Sequence, residues 1–135
     1  INIYGKQAIV ASIDYKLTKN GNYSVFINGG QNNLDITPEL WSKELQKIGA
    51  GEILLQSIDK DGSSLGYDID VINRVCNSVN IPVIACSGAG NHRHIGDCYN
   101  LSNAEAIAAG NVFHFTENSY PRFKIFLKKH IKEIR

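Results

Sequence analysis

Methionine is absent from this sequence of 135 residues, which begins at Ile1. A translated product normally begins with methionine, and removal of the initiator is inefficient before a bulky residue such as isoleucine. We therefore expect the chain to be part of a longer protein. Long apolar runs are lacking too: none approaches the roughly 18 residues of a membrane span, and no signal peptide is recognisable. The sequence favours neither a membrane protein nor a secreted one.

Neither sign of charge is in marked excess, because the sequence has 14 Lys and Arg and 13 Asp and Glu, which gives a net charge of +1. Such a balance excludes a nucleic-acid binder recognised by charge alone. The end of the chain is locally basic, and we interpret its cations as the solvated face of a helix. These residues are Arg122, Lys124, Lys128, Lys129, Lys132 and Arg135.

Cysteine is scarce, and the three cysteines form no C-x-x-C pair. Neither a zinc ribbon nor a dithiol redox motif is supported, so the chain is expected to be reduced and cytoplasmic. His92 and His94 lack an evident third ligand, and we expect neither a metal nor another cofactor.

What the sequence does contain is an alternation of short apolar runs and helical patterns, which indicates βα repeats. Strands are predicted at 8–13, 52–58, 82–86 and 104–109, and helices at 38–48, 68–79, 92–101 and 119–134. A polar stretch with Asn20-Gly21, followed by 23–27, predicts a small β-hairpin in the first βα loop. Four such units are half of a (βα)8 barrel of about 250 residues. The predicted class is therefore α/β, with residues 1–135 forming one half-barrel domain whose N-terminal half is absent.

The loops after parallel strands share one end of the sheet, where ligands bind. The first two predicted loops supply acids: Asp14, then Asp59 and Asp61. A partly desolvated Asp14 carboxylate suits a general acid or base, although a structural hydrogen-bonding role fits its position as well. Asp59 and Asp61, two residues apart, would point the same way on an extended backbone, in a turn, a metal-binding loop or an anion site.

The last two predicted loops supply glycines, at Gly88, Gly90 and Gly110. Residues without Cβ let backbone N–H groups approach an anion, and a following helix adds a favourable dipole. Barrel phosphate sites often lie across the loops after strands 7 and 8, the positions these loops hold in a C-terminal half. The same glycines would also serve simply to make tight turns.

Seven segments occur together and in order along nearly the whole chain. They are VASID at 10–14, GAGEILL at 49–55, SIDKDG at 57–62, GYD at 66–68, IPVIA at 81–85, GAG at 88–90 and VFHF at 112–115. Together they closely resemble the C-terminal half of the cyclase subunit of imidazole glycerol phosphate synthase, a (βα)8 barrel.

The resemblance implies a cyclase and lyase of histidine biosynthesis that receives ammonia from a glutaminase partner and acts on a phosphorylated nucleotide. It makes Asp14 one of two acid/base aspartates and Glu52 a member of the charged gate through which ammonia enters. It further assigns residues of the loops to phosphate and substrate binding. These are Asp61, Gly62, Ser63, Gly88, Ala89, Gly110 and Asn111.

Four positions, in three loops, depart from the family pattern. Cys86-Ser87-Gly88-Ala89-Gly90 stands where Ser-Gly-Gly-Ala-Gly is usual, Asn111 replaces a serine, and Gln31 replaces a basic residue. A paralogue that supplies ammonia for the amidation of a surface sugar therefore stays open, as does a non-catalytic phosphate-binding half-barrel. A half-barrel standing alone would expose parallel strand edges and would be expected to form a homodimer.

Overall fold

The computed structural model describes residues 2–114 and 119–130 of the chain. Its strands are β1 (Val10–Leu17), β2 (Tyr23–Ile27), β3 (Asn32–Asn33), β4 (Glu52–Ser57), β5 (Val83–Cys86) and β6 (Ala106–Ile107). Its helices are α1 (Pro38–Ile48), α2 (Ile69–Cys76), α3 (His92–Leu101) and α4 (Ser119–His130). A single 3-10 turn, Asn111–Phe113, follows β6.

The six strands form one sheet in the order β3-β2-β1-β4-β5-β6. The four strands β1, β4, β5 and β6 run parallel to one another. On the other side of β1, β2 pairs antiparallel with β1, and β3 pairs antiparallel with β2. This arrangement confirms the predicted α/β class with a parallel sheet. All three parallel connections carry a helix, as crossover connections between parallel strands require.

The local chemistry explains where α1 begins and ends. The Thr37 hydroxyl accepts a hydrogen bond from the Leu40 amide at 3.4 Å, and Pro38 fills the first helical position. Gly49 ends the helix with φ of 105°, a left-handed conformation that favours glycine. These bounds agree with the predicted helix. In α2, by contrast, Asp68 makes no side-chain capping bond.

The two faces of the sheet differ in how they are covered. The face formed by Ile13, Tyr15, Ile53 and Leu55 is fully buried beneath the helices and forms the core. Side chains alternate along a strand, so the residues between these lie on the opposite face. That face, here called the open face, carries Val10, Ser12, Asp14, Glu52, Leu54 and Gln56. Its members are half-buried or exposed, and Val10 is 52% exposed.

The first strand is longer than the sequence predicts. It was expected to end at Ile13, with Asp14 following it, but β1 continues to Leu17. The extension forms because Asp14 to Leu17 pair antiparallel with β2, through a turn closed by the Thr18 amide and the Asn22 carbonyl at 2.8 Å. Asp14 therefore lies within the strand.

Other predicted bounds also change. The fourth predicted strand shrinks to Ala106–Ile107, and α2 ends at Cys76, so that Val79 lies beyond the helix. Of the last predicted helix, residues 131–134 lie outside the described residues. No helix in the described part of the chain is both long enough and apolar enough to cross a membrane.

We predict that Asn73→Ala lowers the free energy of unfolding by about 1–3 kcal/mol. The Asn73 side chain donates to the Leu101 carbonyl at 3.0 Å and accepts from the Asn103 amide at 2.9 Å, which fixes the segment leading into β6. Asn80→Ala, at an exposed position, is the control and should change stability by less than about 0.5 kcal/mol. Urea denaturation of both variants checks this, and equal losses would contradict it.

Candidate active site

A pocket of about 700 Å³ lies at the carboxyl ends of β4, β5 and β6. Its walls are the three loops that follow these strands, together with one side of α4. Six of the residues predicted to bind substrate or phosphate meet here. They are Asp61, Gly62, Gly88, Ala89, Gly110 and Asn111.

Below, the loops after β4, β5 and β6 are called the first, second and third loops of the pocket. Two glycines, Gly88 and Gly90, allow the second loop to pack closely against the first. The Gly66 amide donates to the Gly88 carbonyl at 2.8 Å, and a Cβ on Gly88 would lie 2.2 Å from the Gly66 oxygen. A Cβ on Gly90 would lie 2.6 Å from that of Ser64. Both glycines are therefore required by the close approach of two loops, which is more than a tight turn demands.

A buried tyrosine joins the first loop to the third. The Tyr67 hydroxyl donates to the Ala108 carbonyl at 2.9 Å. Burial raises the pKa of this hydroxyl well above its ordinary value, which already lies above neutral pH, so Tyr67 is a protonated donor. The loop after β4 is thus joined by hydrogen bonds to both of the other loops.

Gly110 differs from the other glycines of the pocket. Its φ is −121°, and an added Cβ would meet nothing within 4 Å. Neither backbone strain nor close packing requires glycine here, so its missing side chain only keeps this wall open. A 3-10 turn, Asn111–Phe113, follows it directly.

Backbone donors are available in the second loop. The amides of Gly88 and Ala89 donate no hydrogen bond within the described residues. α3 starts directly after this loop, where the Asn91 side chain accepts from the Arg93 amide at 2.9 Å and the His94 amide at 3.2 Å. Free amides beside a helix N-terminus form an environment that favours anions.

The fourth wall contains residues that the sequence predictions missed. Phe126 contacts His92 in a tilted arrangement with ring centroids 4.1 Å apart, and Phe123 meets the same imidazole edge-on at 5.8 Å. Arg122 is exposed on α4, in keeping with the predicted solvated basic face, and it also lines the pocket.

Two serines of the pocket have unusual backbones. Ser64 has φ of 59° and Ser87 has φ of 79°, in the left-handed region that costs a residue with a Cβ about 1–2 kcal/mol. Ser87 is 7% exposed, and its hydroxyl has no hydrogen-bond partner among the described residues. Backbone strain of this kind is concentrated at functional sites.

Four candidate acids and hydroxyls lie outside the pocket. The Ser63 hydroxyl donates to the Lys60 carbonyl at 2.8 Å within its own loop, and Ser64 lines the wall instead. Asp59 and Asp61 do not point the same way, because Asp59 accepts from the Leu17 amide at 2.8 Å across the sheet. Asp14 and Glu52 lie on the open face.

Asp14 and Glu52 occupy opposite ends of that open face. Asp14 pairs with Gln56 in the ladder between β1 and β4, whereas Glu52 pairs with Val10. Four residues of strand separate the two levels, a span of about 13 Å. Among the described residues, no group of three or more His, Cys, Asp or Glu side chains is arranged to hold a metal ion.

The model of the histidine biosynthesis protein family matches residues 1–119. The chain belongs to this family. Two relatives carry the name imidazole glycerol phosphate synthase subunit HisF. The one from Hydrogenobaculum sp. (strain Y04AAS1) is 42% identical over 98% of this chain and 52% of its own length. The one from Natranaerobius thermophilus is 46% identical over the same shares.

The chain spans about half the length of these curated relatives of the histidine biosynthesis protein family. Among solved structures, it is similar to (S)-3-O-geranylgeranylglyceryl phosphate synthase from Thermoplasma acidophilum. The TM-score is 0.57, with 18% identity over 71% of this chain and 38% of that one. This likeness concerns the fold alone.

The contrast between the two loop glycines gives a test of the pocket walls in this family member. Gly88→Ala should lower the free energy of unfolding by about 2–4 kcal/mol, because overpacking against Gly66 adds to left-handed strain. Gly110→Ala, whose Cβ meets nothing, should change it by less than about 1 kcal/mol. Chemical denaturation measures both values, and a larger loss for Gly110→Ala would be contrary to the geometry described.

Proposed function

We propose that the intact protein is the cyclase subunit of imidazole glycerol phosphate synthase in histidine biosynthesis. It adds ammonia from a glutaminase subunit to a phosphorylated ribulosyl-formimino nucleotide. Ring closure and cleavage then give imidazole glycerol phosphate and an aminoimidazole carboxamide ribonucleotide. Support comes from the 42–46% identity to relatives of that name and from the pocket at the carboxyl ends of β4 to β6.

The pocket is the observation that carries the proposal, as a binding site for one phosphate of the substrate. The amides of Gly88 and Ala89 supply donors, the open wall at Gly110 admits the phosphate, and Arg122 supplies a positive charge. The Asp61 carboxylate accepts hydrogen bonds only, so its role is toward a hydroxyl of the substrate. The Asn111 side-chain amide both donates and accepts hydrogen bonds, so it can contact either the phosphate or a hydroxyl of the substrate.

Asp14 is proposed as one acid/base group of the cyclisation. Its side chain is half-buried on the open face, level with Gln56, where a carboxylate can contact a substrate and exchange a proton with it. The phosphate pocket lies beyond the ends of the neighbouring strands. A substrate anchored there by its phosphate would extend its reacting part over the open face toward Asp14.

The described sheet is proposed to be half of a (βα)8 barrel. On the side of β1 away from β4, no strand in the described part of the chain pairs with residues 10–13. The open face likewise exposes Val10 and Ser12, which the interior of a closed barrel would cover. A preceding set of βα units would satisfy both requirements.

Glu52 is proposed as part of an ammonia entrance at the amino ends of the strands. It shares the open face with Leu54 and Asp14, so a path along this face leads from Glu52 past apolar surface to the acid/base group. A glutaminase subunit would bind at the Glu52 end. This arrangement separates the entry of ammonia from the entry of the nucleotide.

Substitution of Asp14 tests the acid/base role. In the intact protein supplied with ammonium salts, Asp14→Asn should lower turnover of the nucleotide by about 10²-fold or more, because the amide does not exchange the proton. Asp59→Asn is the matched control: its amide oxygen can still accept from the Leu17 amide, so turnover should stay near that of the unaltered protein. Unchanged turnover in Asp14→Asn would overturn the assignment.

The ammonia entrance is tested separately with Glu52→Gln. Turnover with glutamine in the assembled complex should fall, whereas turnover with free ammonium salts should not, because ammonium in bulk solution bypasses the partner. The ratio of the two rates is the measurement. An equal fall with both nitrogen sources would show that Glu52 acts in folding or chemistry rather than in ammonia transfer.

The departures at Ser87 and Asn111 favour a second candidate, a paralogue that delivers ammonia for amidation of a surface sugar. Such a protein would keep the open face with Asp14 and Glu52 while its pocket adapts to another phosphorylated ligand. Turnover of the ribulosyl-formimino nucleotide by the intact protein decides between the two. Its absence, with glutamine hydrolysis retained in the complex, would favour the paralogue.

A further inference from the structure

Ser87 differs from the other buried serines in having no hydrogen-bond partner. The hydroxyls of Ser24 and Ser42 donate to Ile36 and Pro38 carbonyls, and that of Ser57 accepts from the Lys60 amide. The Ser87 hydroxyl is fully enclosed and has no such contact within the described residues. A buried hydroxyl without a partner destabilises the folded chain, so it requires an explanation other than folding.

The backbone at Ser87 adds a second cost. Its φ of 79° is followed by φ of 100° at Gly88, so two consecutive residues are left-handed. Glycine would adopt this conformation without strain and would leave no orphaned hydroxyl. Asn28 and Asp35, at 54° and 52°, belong to the residue types that tolerate this region, whereas a serine does so less readily. Folding alone would favour glycine at position 87.

The location of Ser87 supplies the missing partner. It lines the pocket directly before Gly88 and Ala89, whose amides are free within the described residues. Rotation about the Cα–Cβ bond moves the hydroxyl between staggered positions without moving the backbone. A ligand oxygen bound to the two amides would lie within reach of such a rotation.

We infer that the Ser87 hydroxyl is a ligand-binding group, which donates a hydrogen bond to an oxygen of the phosphate held in this pocket. The inference rests on the proposed phosphate site and names a further residue that determines its affinity. A hydroxyl donor suits a fully ionised oxygen, and a hydrogen bond to a charged group is stronger than one between neutral groups. Binding would satisfy the one buried hydroxyl that folding leaves unpaired in the described chain.

The test titrates the intact protein with inorganic phosphate and follows the amide NMR signals of Gly88 and Ala89, so that the affinity measured belongs to this pocket. Ser87→Ala should weaken binding about tenfold to a hundredfold, while its melting temperature stays unchanged or rises. Ser87→Gly should weaken binding equally and raise the melting temperature by a few degrees, because it also relieves the strain.

Ser42→Ala is the matched control, since it removes a buried hydroxyl whose partner is the Pro38 carbonyl at 2.7 Å. It should lower the melting temperature and leave phosphate affinity unchanged. Unaltered affinity in Ser87→Ala, with the unsubstituted protein binding phosphate, would overturn this inference alone. Failure of the unsubstituted protein to shift these signals would overturn the proposed phosphate site, and this inference with it.

Discussion

The backbone contact between Gly66 and Gly88 is the constraint on which the pocket depends. One hydrogen bond of 2.8 Å joins two loops that follow neighbouring parallel strands, and there is no room for a side chain on Gly88. Because the loops touch through their backbones, the amides that follow Gly88 are held at a fixed distance from the first loop. The Tyr67 hydroxyl then connects this pair to the third loop through Ala108. Three segments far apart in sequence become one wall.

Features fixed by local chemistry were predictable from the sequence. The bounds of α1 follow from Thr37, Pro38 and Gly49, and the gathering of the glycine loops follows from the rule that parallel strands end at one edge. Features fixed by long-range pairing were not. β1 continues past Asp14 only because β2 folds back onto it, and no property of residues 14–17 alone requires that pairing.

The sequence predicted which backbone segments form the site better than it predicted the roles of the side chains there. Gly88 and Gly110 were both expected at the phosphate site, yet only the structure distinguishes the crowded one from the open one. Arg122 is exposed as the basic helix face predicts, but helical periodicity does not reveal which of its cations borders the pocket. Composition and spacing do not reveal that Ser87 has a left-handed backbone. Its position directly before Gly88-Ala89-Gly90 was the one feature of the sequence that could have marked it as a site residue.

The hairpin formed by β1 and β2 has a consequence for how the sheet can grow. Asp14 and Tyr15 pair with both β4 and β2, whereas the first four residues of β1 have a neighbour only in β4. A further strand could pair with β1 on the side away from β4 only along residues 10–13, a length of about 13 Å, because β2 occupies that side from Asp14 onward. The β1–β2 hairpin therefore limits how far a neighbouring strand can extend along β1, and so restricts its register. Closure of a barrel depends on the stagger between its strands, so in the proposed barrel this short antiparallel pair would constrain the geometry of the whole ring.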